Sequence, residues 1–387
     1  MKIVFVIDHF DSSNNGTSVT ARRLAEQLEG KGHSVKILCA DSEDKYGEKI
    51  SAFRVPFFQN LIEQQGFRLA KVPDVSVYED AFKGADLIHL YVPSLFCRKG
   101  AMVAQDMGIP CISAFHVMPQ NVTYTLGLGT NKTANEFLYQ LFYRSFYKNF
   151  DYIHCPTQMT ANQLKQHGYK AELRVISNGV DQKFTAIETR KPPELEDKYI
   201  LLMVGRLSGE KRQDLLVEAV KQSKYHDKLQ IIFAGNGPRK KELQKLCKNL
   251  KNPPIFGFYT QDELLRLYNS CDLYIHAADV EVEGLSCMEA IACGAVPVIS
   301  DSELSATHFF ALHPRNIFRA GEAGSLAEQI DYWIEHPEEK ASLSLDYVKK
   351  GSKMHVDNYA AAMEDLYLDA IYSYFPSADR VRQYARK

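Results

Sequence analysis

The chain has 387 residues, of which 45% are apolar, and a formal net charge of −2. This length and apolar content are sufficient for two domains of ordinary size. The near-neutral charge argues against a nucleic-acid partner, and no apolar stretch is long enough to predict a membrane-spanning helix.

The cysteines and the first residues predict a cytoplasmic protein. The eight cysteines form no CxxC pair and no Cys/His cluster, so we expect reduced thiols, most of them in the core. The apolar run in MKIVFVIDHF is short and soon acidic, which argues against a signal peptide. Peripheral contact with the cytoplasmic face of a membrane remains compatible with these features.

Strand and helix patterns alternate from the start of the chain. KIVFVI is a predicted buried strand, and a loop and the helix VTARRLAEQLEGKG follow it. The further predicted strands of the first half are VKILC, LIHLY, PCISAF, YIHCPT and LRVIS. Such alternation predicts a parallel sheet covered by helices.

A polar stretch, TAIETRKPPELEDK, separates this half from a second one with the same pattern. It carries two prolines and several charges, as linkers do. The pattern restarts at YILLMVG and continues through LQIIFAG, PIFGF, LYIHAA and VPVIS. The sequence therefore predicts an α/β protein with two Rossmann-like domains, residues 1–185 and 195–355. We expect parallel sheets facing across a cleft, with ligands at the carboxyl ends of the strands.

Two candidate groups follow strands of the first domain. Gly16 precedes a predicted helix, where it would let the helix N-terminus approach a phosphate, although an ordinary capped turn explains it equally well. His116 ends the strand PCISAF. It would hydrogen-bond a sugar hydroxyl or transfer a proton, or simply pack in the core.

The restart strand ends in the sequence GRLSGEK, which carries Arg206 and Lys211, and a helix is predicted from Lys211 onward. Two positive charges around a turn suit a diphosphate, with bidentate hydrogen bonds from arginine and a point charge from lysine. Solvated charges on a surface turn are the alternative. If the two cations neutralise a leaving diphosphate, the site needs no divalent metal, and we predict no obligatory metal.

The stretch EVEGLSCMEAIACGAVPVIS places Glu281 in a loop and Glu289 one turn inside a helix. Gly284, Leu285 and Ser286 lie at the predicted start of this helix, where unpaired N–H groups and the helix dipole favour a phosphate. Glutamates on a helix usually face solvent, but Glu289 lies in an apolar segment. A carboxylate beside a bound sugar would stabilise positive charge that develops on it.

These motifs resemble retaining, nucleotide-sugar-dependent glycosyltransferases with the GT-B fold. The match consists of the E-x7-E signature at Glu281 and Glu289, the G-R-L-x-x-x-K sequence at 205–211, G-x-G-P at 235–238 and N-G-V-D at 178–181. It runs from about residue 1 to about 350 and is more specific in the second half. Glu283 departs from the family, which often has phenylalanine before this glycine.

The resemblance implies a role for each matching position. Glu281 and His116 would contact the transferred sugar, and Glu289 would hydrogen-bond the ribose. Arg206 and Lys211 would hold the pyrophosphate, and backbone around Gly284, Leu285 and Ser286 the distal phosphate. Gly16 would lie near the phosphates, while Gly257 and Phe258 would bracket the nucleobase. It also implies a C-terminal helix, about 356–387, that packs back on the first domain.

The implied activity is transfer of a hexose, glucose or galactose, from a nucleotide diphosphate sugar with retention of configuration. UDP is the expected nucleotide, from family frequency alone. Two other classes stay open at this point: phosphorylases or epimerases with the same fold, and a non-catalytic subunit that binds a sugar nucleotide. Phosphorylases need a lysine-bound pyridoxal phosphate, and the sequence carries no motif for it.

After His116, the stretch PQNVTYTLGLGTNKT (119–133) is a predicted loop. The aromatic segment that follows it, ANEFLYQLFYRSFYKNF (134–150), bears on the acceptor. Phe137, Leu138, Leu141 and Phe142 can form one stripe of a helix, and Tyr139, Tyr143, Phe146, Tyr147 and Phe150 a second. With Arg144 and Lys148, such a helix suits a membrane interface, but packing on the sheet explains it equally well. Residues 87–121 also resemble members that glycosylate sterols, diacylglycerol or ceramide. We therefore expect a membrane-lipid acceptor, with a soluble sugar, polysaccharide or cell-envelope precursor as the alternative.

Overall fold

The computed structural model describes residues 1–10, 16–40, 47–53 and 68–375. Its backbone contacts divide the chain into two compact units. The first contains Met1–Pro119, Asn131–Asn178 and the chain from Asp357 onward, and the second contains Gln120–Thr130 and Gly179–Val356. The short segment Gln120–Thr130 thus belongs to the second unit, although the first unit surrounds it in sequence.

Within its described residues, the first unit contains a seven-stranded parallel sheet in the order β3-β2-β1-β6-β7-β8-β9. Its strands are β1 (Lys2–His9), β2 (Ser34–Ala40), β3 (Gly47–Ile50), β6 (Leu87–Leu90), β7 (Cys111–Ala114), β8 (Tyr152–Cys155) and β9 (Glu172–Val175). A small antiparallel pair joins β4 (Ala52–Phe53) to β5 (Leu69–Ala70). The central strands are apolar runs that are buried throughout, as expected for a parallel sheet covered on both faces.

The helices of the first unit connect these strands. They are α1 (Gly16–Gly30), α2 (Val75–Phe82), α3 (Leu95–Asp106), α5 (Lys132–Ser145) and α6 (Gln158–Gln166). Helix α4 (Pro119–Thr125) begins at the border between the units. The sequence predicts a loop there, and this prediction is wrong in part. Proline suits the first position of a helix. The Thr123 hydroxyl stabilises the short helix through hydrogen bonds to the carbonyls of Gln120 and Gly129.

The last helix, α13 (Val356–Tyr374), makes its contacts in the first unit from Asp357 onward. The Tyr367 hydroxyl lies 2.9 Å from His89 Nδ1, and Glu364 lies 3.1 Å from the Lys31 ammonium. These contacts join the end of the chain to β6 and to the residues that follow α1. Residues 376–387 of the predicted C-terminal helix lie outside the described part of the chain.

In the described chain, the second unit contains a six-stranded parallel sheet in the order β12-β11-β10-β13-β14-β15. Its strands are β10 (Tyr199–Val204), β11 (Leu229–Ala234), β12 (Ile255–Gly257), β13 (Leu273–His276), β14 (Pro297–Ser300) and β15 (Ile317–Phe318). Its helices are α7 (Gln213–Gln222), α8 (Lys240–Leu246), α9 (Gln261–Ser270), α10 (Leu285–Ala292), α11 (Ala323–Glu335) and α12 (Pro337–Gly351). The two parallel sheets confirm the predicted α/β class.

Candidate active site

The turn that follows β10 packs closely against a second turn, Gly-Asn-Gly-Pro at residues 235–238. Gly205 has φ +146° and Gly235 has φ +156°, and a Cβ on Gly235 would lie only 2.0 Å from the Gly205 carbonyl oxygen. A Cβ on Gly237 would lie 2.4 Å from the Leu207 carbonyl oxygen. The Gly-Asn-Gly-Pro turn therefore needs its glycines for close backbone contact, which fixes the course of the turn that carries Arg206.

Lys211 lies at the end of this turn, in a short 3-10 helix, Gly209–Lys211. The sequence predicts that an α-helix begins at Lys211, but α7 begins at Gln213, because Arg212 adopts a left-handed backbone conformation with φ 55°. The left-handed conformation of Arg212 directs the end of the loop toward the segment that follows β13. There the Lys211 ammonium pairs with the Glu281 carboxylate.

Glu281 is largely buried, with 16% of its side chain exposed. Burial alone would raise its pKa, but the positive charge of Lys211 and the ring of His276 outweigh burial and lower the pKa of Glu281 to about 2. The His276 Nε2 lies 3.3 Å from the carboxylate oxygen that Lys211 contacts. Glu281 is therefore ionised at neutral pH.

A second set of contacts joins the same two loops. Arg212 donates to Asp279 at 3.0 Å and to Asp214 at 3.3 Å. The Asp279 amide donates to the Glu210 carbonyl at 2.8 Å. Tyr124, from helix α4, donates its hydroxyl to Asp279 at 2.7 Å. These bonds hold the loop of Lys211 and the loop of Glu281 in fixed register.

The start of helix α10 is open to an anion at its backbone. Gly284 has φ +89°, and a Cβ there would lie 2.2 Å from a Thr307 methyl carbon, so only glycine fits. The first intrahelical bond runs from the Cys287 amide to the Gly284 carbonyl. The amides of Leu285 and Ser286 precede that bond, as at any helix start. The Ser286 hydroxyl is engaged elsewhere, since it donates to the Val204 carbonyl at 3.2 Å.

The remaining predicted donor residues of the second unit lie on separate elements. Glu289 is buried in α10, where the Tyr268 hydroxyl donates to its Oε2 at 3.2 Å. Gly257 ends β12, and its carbonyl accepts from the Gly235 amide at 2.8 Å. Phe258 follows it with 59% of its surface exposed. The exposed ring of Phe258 is available to a ligand.

Two predicted residues belong to the first unit. Gly16 is the first residue of α1. His116 follows β7 and is half-buried, with its ring stacked 5.6 Å from Tyr91 and edge-on 5.4 Å from His154. Burial, reinforced by His154, holds the pKa of His116 well below its ordinary value, so this ring is neutral at pH 7. The structure thus brings Lys211 and Glu281 together, whereas His116 and Gly16 lie in the other unit.

Sequence reasoning missed two residues of this arrangement. His276 ends strand β13, and the argument that selected His116, a histidine that closes a parallel strand, applies equally to it. Tyr124 lies in a segment that the sequence predicts as a loop. Its partner Asp279 is distant in sequence, so no local pattern indicates the contact.

Among the described residues, no group of three or more His, Cys, Asp or Glu side chains is arranged to hold a metal ion. Within the same residues, none of the helices has the length and apolar character needed to cross a bilayer.

Comparison with known proteins assigns both halves of the chain to glycosyltransferases. Residues 14–184 match the model of glycosyltransferase family 4, and residues 185–354 match the model of glycosyl transferases group 1. The first half of the chain thus carries a glycosyltransferase family 4 domain, and the second half carries a glycosyl transferases group 1 domain. The resemblance inferred from the E-x7-E and G-R-L-x-x-x-K motifs is therefore confirmed.

Two curated relatives of this glycosyltransferase share most of its length. The alpha-monoglucosyldiacylglycerol synthase of Streptococcus pneumoniae is 26% identical over 96% of this chain and 87% of the relative. The enzyme of the same name from Acholeplasma laidlawii is 24% identical over 92% of this chain and 94% of the relative. Both comparisons span the two units.

A solved structure shows the same fold. Anabaena Alr3699/HepE, crystallised in complex with UDP-glucose, superposes with a TM-score of 0.74 at 19% identity, over 95% of this chain and 99% of the neighbour. At this level of identity the likeness shows the fold alone. The predicted GT-B fold of this glycosyltransferase is thus confirmed.

Proposed function

We propose that this glycosyltransferase moves glucose from UDP-glucose to a hydroxyl group of a membrane lipid, with retention of configuration. The observation that carries the proposal is the buried pair of Lys211 and Glu281 beside the start of helix α10. It combines a cation for a departing diphosphate with a carboxylate that stays ionised.

The donor site is assigned to the second unit. Lys211 and Arg206 are proposed to bind the diphosphate, with the amides of Leu285 and Ser286 on its distal phosphate. Glu289 is proposed to accept a hydrogen bond from the ribose, and Gly257 with Phe258 to bracket the base. The UDP-glucose complex of the HepE neighbour and the names of the two synthases support UDP-glucose as the donor.

The chemistry follows from the charges of these groups. The bond from the sugar C1 to the diphosphate oxygen breaks, the acceptor oxygen bonds to C1, and the acceptor proton goes to the leaving diphosphate. Lys211 and Arg206 stabilise the negative charge that grows on the leaving group. Glu281 opposes the positive charge that grows on the sugar, so its contribution is larger in the transition state than in the ground state. His116 remains a predicted contact of the sugar.

Retention is supported by names and by general chemistry. Both relatives are named as synthases of an alpha-glucoside, and UDP-glucose is itself an α-glycoside. Transfer from an α donor to an α product retains the configuration. Nuclear magnetic resonance of the anomeric proton of the product, collected early in the reaction, tests this point directly. A β product contradicts retention.

The lipid acceptor is supported by the surface of the first unit. Helix α5 buries Tyr139 and exposes 65% of Phe137 and 44% of Leu141. Arg144 and Lys148 are exposed on the same segment. Exposed apolar side chains flanked by basic ones favour the surface of an anionic membrane. We propose that the enzyme works at the cytoplasmic membrane surface through this helix.

The donor assignment is tested with Arg206→Ala and Lys211→Ala. Each is expected to lower kcat/KM for UDP-glucose by roughly 2–4 kcal/mol of transition-state stabilisation, with an unchanged circular dichroism spectrum. The matched control is Lys349→Ala, since Lys349 is an exposed lysine of the same unit whose ammonium pairs with the neighbouring Asp346. Near wild-type turnover in either site variant refutes the donor site.

A product screen tests the acceptor. The enzyme is given UDP-glucose with vesicles that contain diacylglycerol, ceramide or a sterol, and separately with soluble sugars. Transfer to at least one lipid and none to the sugars is the expected result. Transfer to soluble sugars alone contradicts the lipid proposal and leaves the donor site intact.

A further inference from the structure

His276 is a buried histidine whose two ring nitrogens both face polar groups. It ends β13 and has 3% of its surface exposed. Its Nε2 lies 3.3 Å from Glu281 Oε2, and its Nδ1 lies 3.3 Å from the Tyr274 hydroxyl. A buried ring with polar atoms at both ends is held in a specific orientation.

Lys211 and His276 converge on the same carboxylate oxygen of Glu281. Lys211 makes the shorter contact. His276 Nε2 has no hydrogen bond of regular geometry to any described residue. A buried ring nitrogen without a full hydrogen bond is unfavourable, so His276 is placed to gain one if Lys211 moves away.

The Tyr274 hydroxyl connects this ring to the start of helix α10. It donates to the Ser286 hydroxyl at 2.9 Å, and Ser286 donates in turn to the Val204 carbonyl at 3.2 Å. This chain of hydroxyl groups fixes the ring relative to the helix start. A movement of Lys211 therefore leaves His276 in place.

We propose that His276 is a positioning residue. It hydrogen-bonds the Glu281 carboxylate once Lys211 has moved from this carboxylate to the diphosphate of the donor. The inference rests on the proposed function, since it requires Lys211 to bind the donor. Once Lys211 leaves, Glu281 would be a buried carboxylate without a cation, which is costly. Because the Tyr274 hydroxyl donates to Ser286, the Nδ1–H of His276 donates to Tyr274, and a proton gained at Nε2 makes the full hydrogen bond to Glu281. This bond offsets the cost and keeps the carboxylate aimed at the sugar. His276 itself touches neither the substrate nor the reacting atoms.

The pKa of His276 should respond to donor binding. Burial lowers the pKa of His276, Glu281 raises it, and the positive charge of Lys211 lowers it. The described titratable groups that face the ring are therefore Glu281, Lys211 and Tyr274. If Lys211 moves to the diphosphate, its effect on the ring weakens while that of Glu281 persists. The pKa of His276 then rises when UDP binds.

The kinetic test uses His276→Leu, which removes the ring nitrogens, and His276→Gln, whose amide can still donate to Glu281. His276→Leu is expected to lower kcat roughly 10- to 100-fold, the range for one charge-assisted hydrogen bond, and to raise the Kd of UDP, because Glu281 then has no partner once Lys211 has moved. His276→Gln is expected to recover most of the loss. Wild-type kcat in His276→Leu, or no recovery in a folded His276→Gln, overturns the proposal.

A double variant tests whether His276 acts through Glu281. In a Glu281→Gln background, His276→Leu is expected to lower kcat by less than about twofold, because residues that act through one another are not additive. A loss as large as in the wild-type background overturns the positioning role.

A spectroscopic readout separates this inference from the proposed function. Nitrogen-15 spectra of the histidine rings report the pKa of His276 in the free protein and with UDP, and His276→Gln assigns the signal. A higher pKa with UDP supports the inference. Hexose transfer with an unchanged pKa of His276 overturns the inference alone. A raised pKa without transfer of any hexose supports the contact and overturns the proposed function.

Discussion

The charge of Glu281 is determined by three opposing influences: burial, Lys211 and His276. Burial opposes its charge, while Lys211 and His276 favour it, and the net effect lowers its pKa to about 2. The carboxylate therefore carries its charge at every pH at which the enzyme would be assayed. A permanent negative charge suits a group that opposes developing positive charge, rather than one that exchanges a proton.

The lowered pKa of Glu281 predicts a loss of stability in acid. A carboxyl group with a pKa of 4.5 unfolded and about 2 folded stabilises the fold fully above pH 4.5 and loses this contribution as the pH falls toward 2. By pH 3 the loss amounts to about 2 kcal/mol. Glu281→Gln removes this titration, so its free energy of unfolding should fall less steeply than that of the wild type between pH 6 and pH 3.

The single tryptophan makes this measurement specific. Trp333 is buried in α11, inside the second unit, so its fluorescence during urea unfolding reports on the unit that contains Glu281. The control is Glu328→Gln, which removes an exposed carboxylate of the same unit. Parallel pH curves for Glu281→Gln and the wild type contradict the assignment of the pKa.

The two glutamates of the E-x7-E signature should have separable effects. Glu281→Gln is expected to lower kcat more than it weakens UDP binding, because the charge that it opposes grows in the transition state. Glu289→Gln is expected mainly to raise the Kd of UDP. Tyr268→Phe serves as a control for Glu289, since it removes only the hydrogen bond that this carboxylate accepts within the protein. Calorimetric titration of UDP beside steady-state kinetics separates the effects, and equal losses of both quantities at both positions contradict the division.

At the scale of elements, a hydrogen bond connects helix α4 to the Glu281 loop. Tyr124 donates to Asp279, which also accepts from Arg212. Arg212 has the sole positive φ among the described residues other than glycine, a conformation that costs about 1 kcal/mol or more. The ion pairs of Arg212 with Asp279 and Asp214 hold this unfavourable conformation in place.

This arrangement predicts coupling between Tyr124 and Asp279. Tyr124→Phe is expected to lower the free energy of unfolding by about 1–2 kcal/mol, and Asp279→Asn by more, because Arg212 then loses its ion pair with Asp279. The double variant should fall short of the sum by about 1 kcal/mol. Trp333 fluorescence in urea measures all three. Strict additivity would show that the hydrogen bond contributes nothing to the stability of the second unit.

The sequence predicts elements well where one pattern determines them. The strands of parallel sheets are continuous apolar runs, so KIVFVI and YILLMVG are recognisable without any structure. Helix α4 has no such pattern, because it is short and its stabilising contact, from Tyr124 to Asp279, spans 155 positions. A sequence periodicity reports on near neighbours and carries no signal for such a contact.

In the candidate site too, local motifs predict single residues but not the contacts between them. Lys211 and Glu281 were each predicted from a local motif, but their mutual ion pair spans 70 positions, and no motif encodes it. His276 was missed because a histidine at the end of an apolar strand is equally typical of a packed core. Its role becomes visible only when the fold brings β13 beside the Glu281 loop.

At the scale of the whole molecule, the exposed face of helix α5 is the main feature that the sheets do not explain. The predicted second stripe is core, since Tyr139, Phe146 and Tyr147 are buried, and the Tyr147 hydroxyl donates to the Ala114 carbonyl at 3.1 Å. The predicted first stripe stays exposed at Phe137 and Leu141. One face of the segment thus packs in the core. The other face, which is apolar and has basic neighbours, stays exposed and can contact another partner.

This face predicts binding to anionic membranes. The double variant Phe137→Ser/Leu141→Ser is expected to lower the partition coefficient onto phosphatidylglycerol vesicles roughly 10-fold or more, since each apolar side chain contributes on the order of 1.5 kcal/mol when it enters the membrane. The matched control is Phe309→Ser/Leu345→Ser, because both residues are 64% exposed on the second unit. Co-sedimentation measures both variants, and calorimetry checks that each still binds UDP.

Salt dependence distinguishes the two parts of the predicted membrane contact. Arg144 and Lys148 should each contribute about 1 kcal/mol at an anionic surface, and this part should weaken as ionic strength rises and screening shortens its range. The contribution of Phe137 and Leu141 should persist in high salt, because burial of apolar surface is not screened. Vesicle binding that both Phe→Ser/Leu→Ser pairs reduce equally, or that neither reduces, contradicts a specific membrane role for α5 and leaves its outer face as ordinary protein surface.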